Sequence, residues 1–382
     1  MTAGGSGPRV AILAPLKEWG GIEGKLVTLG REFLRRGVVP ELVRIRGGAV
    51  PYPERMPEGF RVTELRTRSK WDGVPRVAAY LRRSRPDAVL TVKDHSAQVA
   101  ILARALARVR VPVYIKATNT LSVVARRPLQ RLMIRWLYPR ADRIIAISEG
   151  VADDLCQRFG VPRERVAVIY NPAVTEDFPE RVRAGADHPW LDGGGIPVIV
   201  GAGRLTRQKD FATLIEAFAR LRASRPARLI VFGEGPERAA LEARAAELGV
   251  AKDVDLPGRV ADLLPSVARA DVFALSSRYE GLGNVLIEAL AAGTPAVSTD
   301  CPHGPGEILD HGRYGRLVPV GDAAALAGAL AATLDSPPAA ELLAGAVDRF
   351  RAGPVAEQYL AVMGLAGERA GDTEGRAAWP DS

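Results

Sequence analysis

Two glutamates, Glu280 and Glu288, stand eight residues apart around a glycine-rich turn formed by Gly281, Leu282, Gly283 and Asn284. The apolar run DVFALSS precedes the turn, and the apolar segment VLIEALAA follows it. This order predicts a buried strand, a turn in which Asn284 caps a helix, and the helix itself. Amides at a helix start bind anions, and Glu280 would face the reacting end of a bound substrate. Glu288, one turn into the helix, can accept two hydrogen bonds from a diol such as ribose.

A second candidate loop, GAGRLTRQKDF, follows another apolar run and places Arg204 five residues before Lys209. An arginine fork and a lysine point charge together suit a diphosphate. The loop is not a dinucleotide-binding fingerprint, because Thr206 stands where the third glycine would be. The pair therefore predicts a diphosphate site, although two solvated cations give the same pattern.

Two first-half loops could complete the site. Gly20 and Gly21 follow the first apolar run and open a helix, so they either let backbone amides approach an anion or form a plain turn. His95, in VKDHSAQ, also lies between a strand and a helix. It could orient an acceptor hydroxyl or serve only the helix start.

These loops need parallel sheets to position them, because ligands of open α/β sheets bind beyond the carboxyl ends of the strands. Apolar runs alternate with amphipathic stretches in both halves, which predicts two doubly wound α/β domains. The predicted strands are 9–15, 39–45, 87–92, 111–117, 143–148, 166–172, 197–203, 227–233, 253–258, 271–277 and 295–300, and the predicted helices include 24–37, 96–109, 210–224, 236–249 and 285–293. We expect domains at 1–185 and 195–345 and a disordered tail at 367–382.

The charge distribution limits the classes of partner that the chain is expected to bind. The chain has 382 residues and a net charge of +8, with a balance of +15 over residues 1–183 and −7 over the rest. The basic half indicates an anionic partner, either a phosphate-bearing substrate, an acidic lipid surface or nucleic acid. Nucleic acid is disfavoured because aromatic residues are not interleaved at stacking spacing. No apolar run spans a membrane, no signal peptide is apparent, and the distant Cys156 and Cys301 fit a reduced, cytoplasmic compartment.

The segment ARRPLQRLMIRWLYPRADR at 125–143 has apolar residues at helical spacing among several arginines. This pattern is typical of a basic amphipathic helix on an anionic membrane, and also of a helix packed on its own domain with arginines outward. We interpret it as a membrane-contacting helix through Arg126, Arg127, Arg131 and Trp136. The expected location is peripheral, at the inner face of the cell membrane.

The segments GAGRLTRQKDFATLIEAF, FGEGPERAALEARAAELGV and RYEGLGNVLIEALAAGTPAVSTD, with GPGEIL and GRLVPVGD, resemble the retaining glycosyltransferases of family 4, which have the GT-B fold. The resemblance is dense from Pro197 to Asp322. It is thinner but collinear in the first half, at GGIE, ADRIIAISEGVADDL and VIYNPA.

The resemblance implies a nucleotide-sugar donor held mainly by the second domain, with no other cofactor and no metal. Arg204 and Lys209 would bind the diphosphate, and Glu280 with the amides of 281–284 would face the sugar. Glu288 would hold the ribose, while Gly258 and Val260 would contact the base through backbone groups. Gly20 and Gly21 would close over the diphosphate. A C-terminal helix, 346–366, would return to the first domain.

Two features depart from the family or compete with its pattern. Many relatives carry a histidine on a first-domain loop where this chain has Thr118 and Asn119, and His95 is the nearby alternative. Asp253 and Asp255 form a nominal DxD metal motif, which we interpret as structural.

The predicted function is retaining transfer of a hexose or N-acetylhexosamine from a nucleotide sugar to a glycan or lipid-linked acceptor in cell-surface polysaccharide or lipopolysaccharide synthesis. UDP is the expected nucleotide, with GDP next. The alternatives are a GT-B epimerase or phosphorylase, and a non-catalytic basic membrane binder.

Overall fold

A computed structural model of the chain describes residues 7–14, 21–45, 56–67, 70–125, 127–186 and 188–366. Gly20, Arg126 and the predicted tail at 367–382 lie outside these residues.

The first half of the chain forms a seven-stranded, all-parallel sheet in the order β3-β2-β1-β4-β5-β6-β7. Its strands are β1 Arg9–Leu13, β2 Val39–Arg44, β3 Arg61–Glu64, β4 Ala88–Val92, β5 Val113–Ala117, β6 Arg143–Ala146 and β7 Val166–Val168. Its helices are α1 Gly21–Arg35, α2 Lys70–Ser84, α3 Asp94–Ala107, α4 Leu121–Val124, α5 Pro128–Leu137, α6 Glu149–Phe159 and α7 Phe178–Arg183.

The second half forms a six-stranded, all-parallel sheet in the order β10-β9-β8-β11-β12-β13. Its strands are β8 Val198–Ala202, β9 Arg228–Phe232, β10 Val254–Gly258, β11 Val272–Leu275, β12 Ala296–Thr299 and β13 Arg316–Val318. Its helices are α8 Phe211–Arg222, α9 Arg238–Glu247, α10 Leu264–Ala268, α11 Asn284–Ala291, α12 Pro305–Ile308, α13 Ala323–Asp335, α14 Ala340–Gly345 and α15 Ala352–Val362.

Both sheets are doubly wound, as the alternating pattern predicts. Successive residues of β1 enter opposite cores, because Val10 and Ile12 pack with α1 residues while Ala11 and Leu13 face α2 and α3. In each sheet the strand order reverses beside the first strand, between β1 and β4 and between β8 and β11. Such reversals open a crevice at the carboxyl ends of the strands, where ligands bind.

Two strands were missing from the sequence prediction. β3 has an exposed or half-buried RVTE sequence, and β13 has only three residues. Each lies at the edge of its sheet, where one neighbour and partial solvent contact remove the apolar signal that marks central strands.

The last helix, α15, packs on the first sheet rather than on the second. Val355, Tyr359 and Leu360 join the core cluster that contains β1 and α1. Tyr114 of β5 donates a hydrogen bond from its hydroxyl to the carbonyl of Met363, at 3.2 Å. The chain therefore crosses between the two sheets twice.

Candidate functional site

The carboxyl ends of the two sheets face each other across a cleft of about 1650 Å³. Its lining includes most of the predicted site residues: Gly21, His95, Arg204, Lys209, Val260, Glu280, Gly281, Leu282, Gly283, Asn284 and Glu288. Gly258 ends β10, directly before the lining residues Arg259 and Val260. The structure thus brings together residues that lie up to 267 positions apart in the chain.

Glu280 is held by two donors in the second-domain wall. Its Oε1 accepts from Lys209 Nζ at 2.5 Å and from the Ser277 hydroxyl at 2.7 Å. The loop after β8 is tied to the strand β11 end as well, because Ser276 donates to the carbonyl of Lys209 at 2.9 Å. Lys209 and Glu280 are mostly buried, so their geometry is fixed before any ligand arrives. Arg204 is exposed on the same loop and, within the described part of the chain, forms no ion pair.

Glu288 reaches across the cleft to the first domain. Its Oε1 lies 2.7 Å from Lys25 Nζ of α1, and both side chains are partly buried. Lys25 was absent from the sequence-based candidates, since nothing in a lysine on an amphipathic helix marks a partner 263 residues away.

The glycine-rich turn packs against the first domain. A Cβ on Gly281 would lie 2.4 Å from the carbonyl oxygen of Thr118, so no larger residue fits while the domains are in this arrangement. Gly283 has φ of +101°, which favours glycine. Gly281 therefore has an interdomain reason to be glycine, and Gly283 a conformational one, besides access to a ligand.

The prediction that Asn284 caps α11 is wrong. Gly283 occupies the cap position, and α11 begins at Asn284 without a side-chain cap. The Asn284 Oδ1 instead accepts from Asn171 Nδ2 of the first domain at 2.9 Å. Gly21 lies beside this pair, because a Cβ there would be 3.8 Å from Asn284 Nδ2. The start of α1 therefore meets the start of α11.

Four further hydrogen bonds join the second domain to the first, two from the start of the glycine-rich turn and two from Glu307 of α12. The Thr120 hydroxyl donates to the Glu280 carbonyl at 3.3 Å, and the Ser148 hydroxyl donates to the Gly281 carbonyl at 2.7 Å. In the other direction, Glu307 accepts from the amides of Glu149 and Gly150, each at 2.9 Å. A carboxylate at the start of α6 also complements the helix dipole. Sequence reasoning missed these residues, although Ser148 before Glu149 is a recognisable helix cap.

The first-domain wall carries the acceptor-side candidates. His95 lies in the second position of α3 and is half-buried at the cleft. Thr118 and Asn119 line the cleft beyond the end of β5, with Asn119 Nδ2 3.4 Å from the Thr118 hydroxyl. Lys116 lies in β5, two residues before Thr118; it also lines the cleft and is only 2% exposed. A lysine in the otherwise apolar strand VYIKA could have marked Lys116 as a candidate site residue from the sequence.

The nominal DxD pair has ordinary structural partners. Asp253 pairs with Arg222 at 2.9 Å, and Asp255 Oδ2 lies 2.8 Å from His188 Nε2. Among the described residues no cluster of three or more histidine, cysteine, aspartate or glutamate side chains could hold a metal ion. Burial raises the pKa of the Cys301 thiol to about 12, which keeps it protonated near neutral pH.

Helix α5 exposes apolar side chains. Leu129, Leu132 and Trp136 are 69%, 62% and 56% exposed, whereas Ile134 and Leu137 are buried. Of the seven large hydrophobic side chains exposed in the described part of the chain, four lie between residues 124 and 136. Arg127 and Arg131 are exposed on the same segment, and the Arg140 guanidinium stacks 3.9 Å from the Trp136 ring centroid. In the described residues, no helix has the length and hydropathy needed to cross a bilayer.

Two family models match the chain. Residues 19–177 match glycosyltransferase family 4, and residues 196–336 match the group 1 glycosyl transferases. The chain therefore carries a glycosyltransferase family 4 domain followed by a group 1 glycosyl transferase domain. The two matches together cover both walls of the cleft, including Lys25, Lys116, Lys209, Glu280 and Glu288.

Curated relatives of this glycosyltransferase match over part of their length. One is the N-acetylgalactosamine-N,N'-diacetylbacillosaminyl-diphospho-undecaprenol 4-alpha-N-acetylgalactosaminyltransferase of Campylobacter jejuni, 33% identical over 192 residues, which are 50% of each chain. Another is the lipopolysaccharide core biosynthesis glycosyltransferase LpsE of Rhizobium meliloti, 37% identical over 193 residues, which are 50% of this chain and 54% of LpsE. The chain thus spans about half the length of the curated relatives it matches.

Solved structures establish the fold. The lipopolysaccharide outer core galactosyltransferase WaaB superposes with a TM-score of 0.73 and 19% identity, over 93% of this chain and 99% of WaaB. Anabaena HepE in complex with UDP and glucose superposes with a TM-score of 0.73 and 21% identity, over 94% of this chain and 97% of HepE. The glycosyltransferase therefore has the GT-B fold that its sequence predicts.

Proposed function

We propose that the chain is a retaining glycosyltransferase that moves a hexose or N-acetylhexosamine from a UDP-sugar to a glycan or lipid-linked acceptor in cell-surface polysaccharide synthesis. The observation that carries the proposal is the second-domain wall. There a preset Lys209–Glu280 pair and Arg204 stand beside Glu288, one turn into α11. One wall of the cleft thus offers cations for a diphosphate, a carboxylate for the sugar and a carboxylate for the ribose.

The charges of the wall suit the departure of a diphosphate. When the bond between the sugar C1 and the phosphate oxygen breaks, the leaving oxygen gains negative charge, and Lys209 and Arg204 would stabilise it. Retention requires the acceptor oxygen to bond to C1 on the face that the diphosphate leaves. The acceptor hydroxyl proton would then pass to the departing phosphate oxygen. Glu280 would orient the donor sugar, and no metal enters these steps.

The remaining donor contacts follow the same placement. Glu288 would accept hydrogen bonds from the ribose hydroxyls while its Oε1 stays paired with Lys25 Nζ. The backbone near Gly258 and Val260 would contact the base, and the amides of 281–284 would contact the sugar and diphosphate. Gly21, with Gly20 before it, would close over the diphosphate from the first domain. His95 would orient the acceptor hydroxyl from the opposite wall.

The comparisons support this reading of the substrates. One curated relative is named for transfer to a diphospho-undecaprenol-linked glycan, another for lipopolysaccharide core biosynthesis, and a solved structure of the same fold holds UDP and glucose. A lipid-linked acceptor would also explain the net charge of +15 over residues 1–183.

The acceptor would be met at a membrane surface. The exposed Leu129, Leu132 and Trp136 of α5, with Arg127 and Arg131 beside them, form a patch that suits the interface of an anionic leaflet. We propose peripheral binding at the inner face of the cell membrane through this patch. Flotation with anionic and neutral liposomes tests it, because equal recovery with both would contradict the charge-dependent binding expected here.

A donor panel tests the function itself. Calorimetry with UDP-, GDP- and ADP-sugars should show the tightest binding for a UDP-sugar. Product analysis should show the anomeric configuration unchanged after transfer to a lipid-linked glycan. Lys209→Ala should abolish transfer. A product that is the epimerised donor, or a sugar phosphate formed with inorganic phosphate, would favour the epimerase or phosphorylase alternative. Membrane binding without nucleotide binding would favour the non-catalytic alternative.

A further inference from the structure

Lys116 is a buried amine in the first-domain wall of the cleft. It lies in β5, is 2% exposed, and lines the cleft. Within the described residues its Nζ has no hydrogen-bond partner. An ammonium group removed from water without a partner is costly, so a lysine kept in such a place needs a physical reason.

The surroundings of Lys116 are largely apolar, and the buried side chain borders the cleft. Its strand neighbours are Val92 of β4 and Ile145 of β6, and both belong to the apolar core cluster under α1 and α15. On the α15 side, Nζ lies 5.1 Å from the ring centroid of Tyr359, whose hydroxyl also lacks a partner among the described residues. The ring face attracts a cation weakly but cannot replace a hydrogen-bonding anion.

A second cation acts on Lys116. Lys25 of α1 acts on it electrostatically, and Lys25 already pairs with Glu288. Burial, with a smaller contribution from Lys25, lowers the pKa of Lys116 to about 7. The amine is therefore poised to gain a proton when an anion arrives, and the Lys25 charge would attract the same anion.

We propose that Lys116 is the centre of an anion-binding subsite in the first-domain wall, which takes a phosphate, diphosphate or carboxylate group of the acceptor. This inference rests on the proposed function, in that it assigns the first-domain wall to the acceptor. It adds that the acceptor is anionic close to the reacting end. A neutral glycan would leave the buried amine unpaired, whereas an anion both pairs it and offsets the Lys25 charge.

The test uses the full-length protein saturated with UDP, so that the donor diphosphate site is filled. Wild type, Lys116→Met and the control Lys252→Met, an exposed lysine of the second domain, are titrated at pH 7 by calorimetry. The probes are inorganic pyrophosphate, geranyl diphosphate and glucuronate, so that diphosphate, lipid-linked diphosphate and sugar carboxylate are compared. Two buffers with different ionisation enthalpies report proton uptake.

The proposal predicts that wild type and Lys252→Met bind at least one probe with proton uptake. Lys116→Met should bind that probe about tenfold or more weakly, without proton uptake, and should keep the wild-type UDP affinity. Tighter binding of geranyl diphosphate than of pyrophosphate assigns a lipid-linked acceptor, and tighter binding of glucuronate assigns an acidic sugar.

Three results would overturn the proposal: no probe binding by wild type, equal binding by Lys116→Met, or binding that UDP abolishes. Failure of the proposed function is separate from these, because it would appear as absent UDP binding in all three proteins. Anion binding that depends on Lys116 would then still be visible in the same titrations.

Discussion

The two walls of the cleft differ in how their charges are satisfied. In the second-domain wall, Glu280 has two donors and Lys209 has a carboxylate, so the groups stand in fixed positions. In the first-domain wall, Lys116 is buried with no partner among the described residues, and Lys25 depends on Glu288 of the opposite wall. One wall is organised before ligands arrive, and the other is left incomplete.

This difference suggests separate tasks. A preset wall suits transition-state stabilisation, since charges that are already oriented need not reorganise during the reaction. An incomplete wall suits recognition of a ligand that brings the missing charge.

The largest effect is expected at Glu280. Glu280→Gln keeps the side-chain shape but removes the charge that holds Lys209, so transfer should fall roughly 10²–10³-fold. Binding of free UDP should change less than about threefold, because Glu280 faces the sugar. Steady-state rates and UDP calorimetry check the two halves of this prediction. Transfer at the wild-type rate in Glu280→Gln would show that the Lys209–Glu280 pair has no part in the reaction.

A smaller effect is expected at the interdomain contact made by Glu307. In Glu307→Gln an amide takes the place of the carboxylate that accepts from two α6 amides. This change should weaken the contact between the two domains. Loss of charge-assisted hydrogen bonds of this kind should lower kcat/KM for transfer about tenfold. Glu341→Gln, an exposed glutamate of α14, is the matched control. If both variants transfer sugar at the wild-type rate, the contact has no part in closure.

The buried Lys116 amine should also affect the stability of the folded protein. Removing a buried, unpaired amine should stabilise the protein, so Lys116→Met should raise Tm by roughly 5 °C at pH 7. The folded pKa of about 7 lies below the usual 10.5, so the unfolded chain binds more protons at this site between these values. Wild-type stability from this group therefore rises with pH, and the advantage of Lys116→Met should shrink from pH 7 to pH 9.

Calorimetric melts of both proteins at several pH values, with Lys252→Met as control, check this prediction. Lys25 and Tyr359 also face Lys116, and burial raises the pKa of the Tyr359 hydroxyl above its usual range, so that hydroxyl stays protonated from pH 7 to pH 9. A lower Tm for Lys116→Met at pH 7 would show that the amine has a stabilising partner.

The smallest effect on the folded protein is expected at α5. Replacing the exposed Leu129, Leu132 and Trp136 together by serine should leave Tm within about 2 °C, since these side chains bury little area. Flotation with anionic liposomes should nevertheless drop several-fold. Retained flotation would place the membrane contact elsewhere in the basic half.

The sequence predicts the central strands and the loops after them because both are local features. Apolar runs mark β8 and β11, and the loops that follow supply Arg204, Lys209 and Glu280. The partners across the cleft were not predictable, because Lys25 and Glu288 or Ser148 and Gly281 meet only when the domains pack. The wrong cap at Asn284 has the same cause, since its amide is bonded to Asn171 of the other domain.

The orientation of α5 was also beyond the sequence. Its spacing placed Leu129, Leu132, Met133, Trp136 and Leu137 together, but the helix buries Leu137 and exposes Leu129, Leu132 and Trp136. Which apolar residues face the core depends on how α5 rests on α3 and α6, and periodicity alone does not contain that information.

Calorimetric titration of UDP into wild type, Glu280→Ala and Glu288→Ala distinguishes the roles of the two glutamates. Glu288 would bond the ribose, so Glu288→Ala should raise the Kd for UDP about 10–100-fold. Glu280→Ala should bind UDP as wild type does and fail in transfer. Equal loss of UDP affinity in both variants, or wild-type affinity in Glu288→Ala, would show that the two glutamates do not have separate roles in sugar and ribose binding.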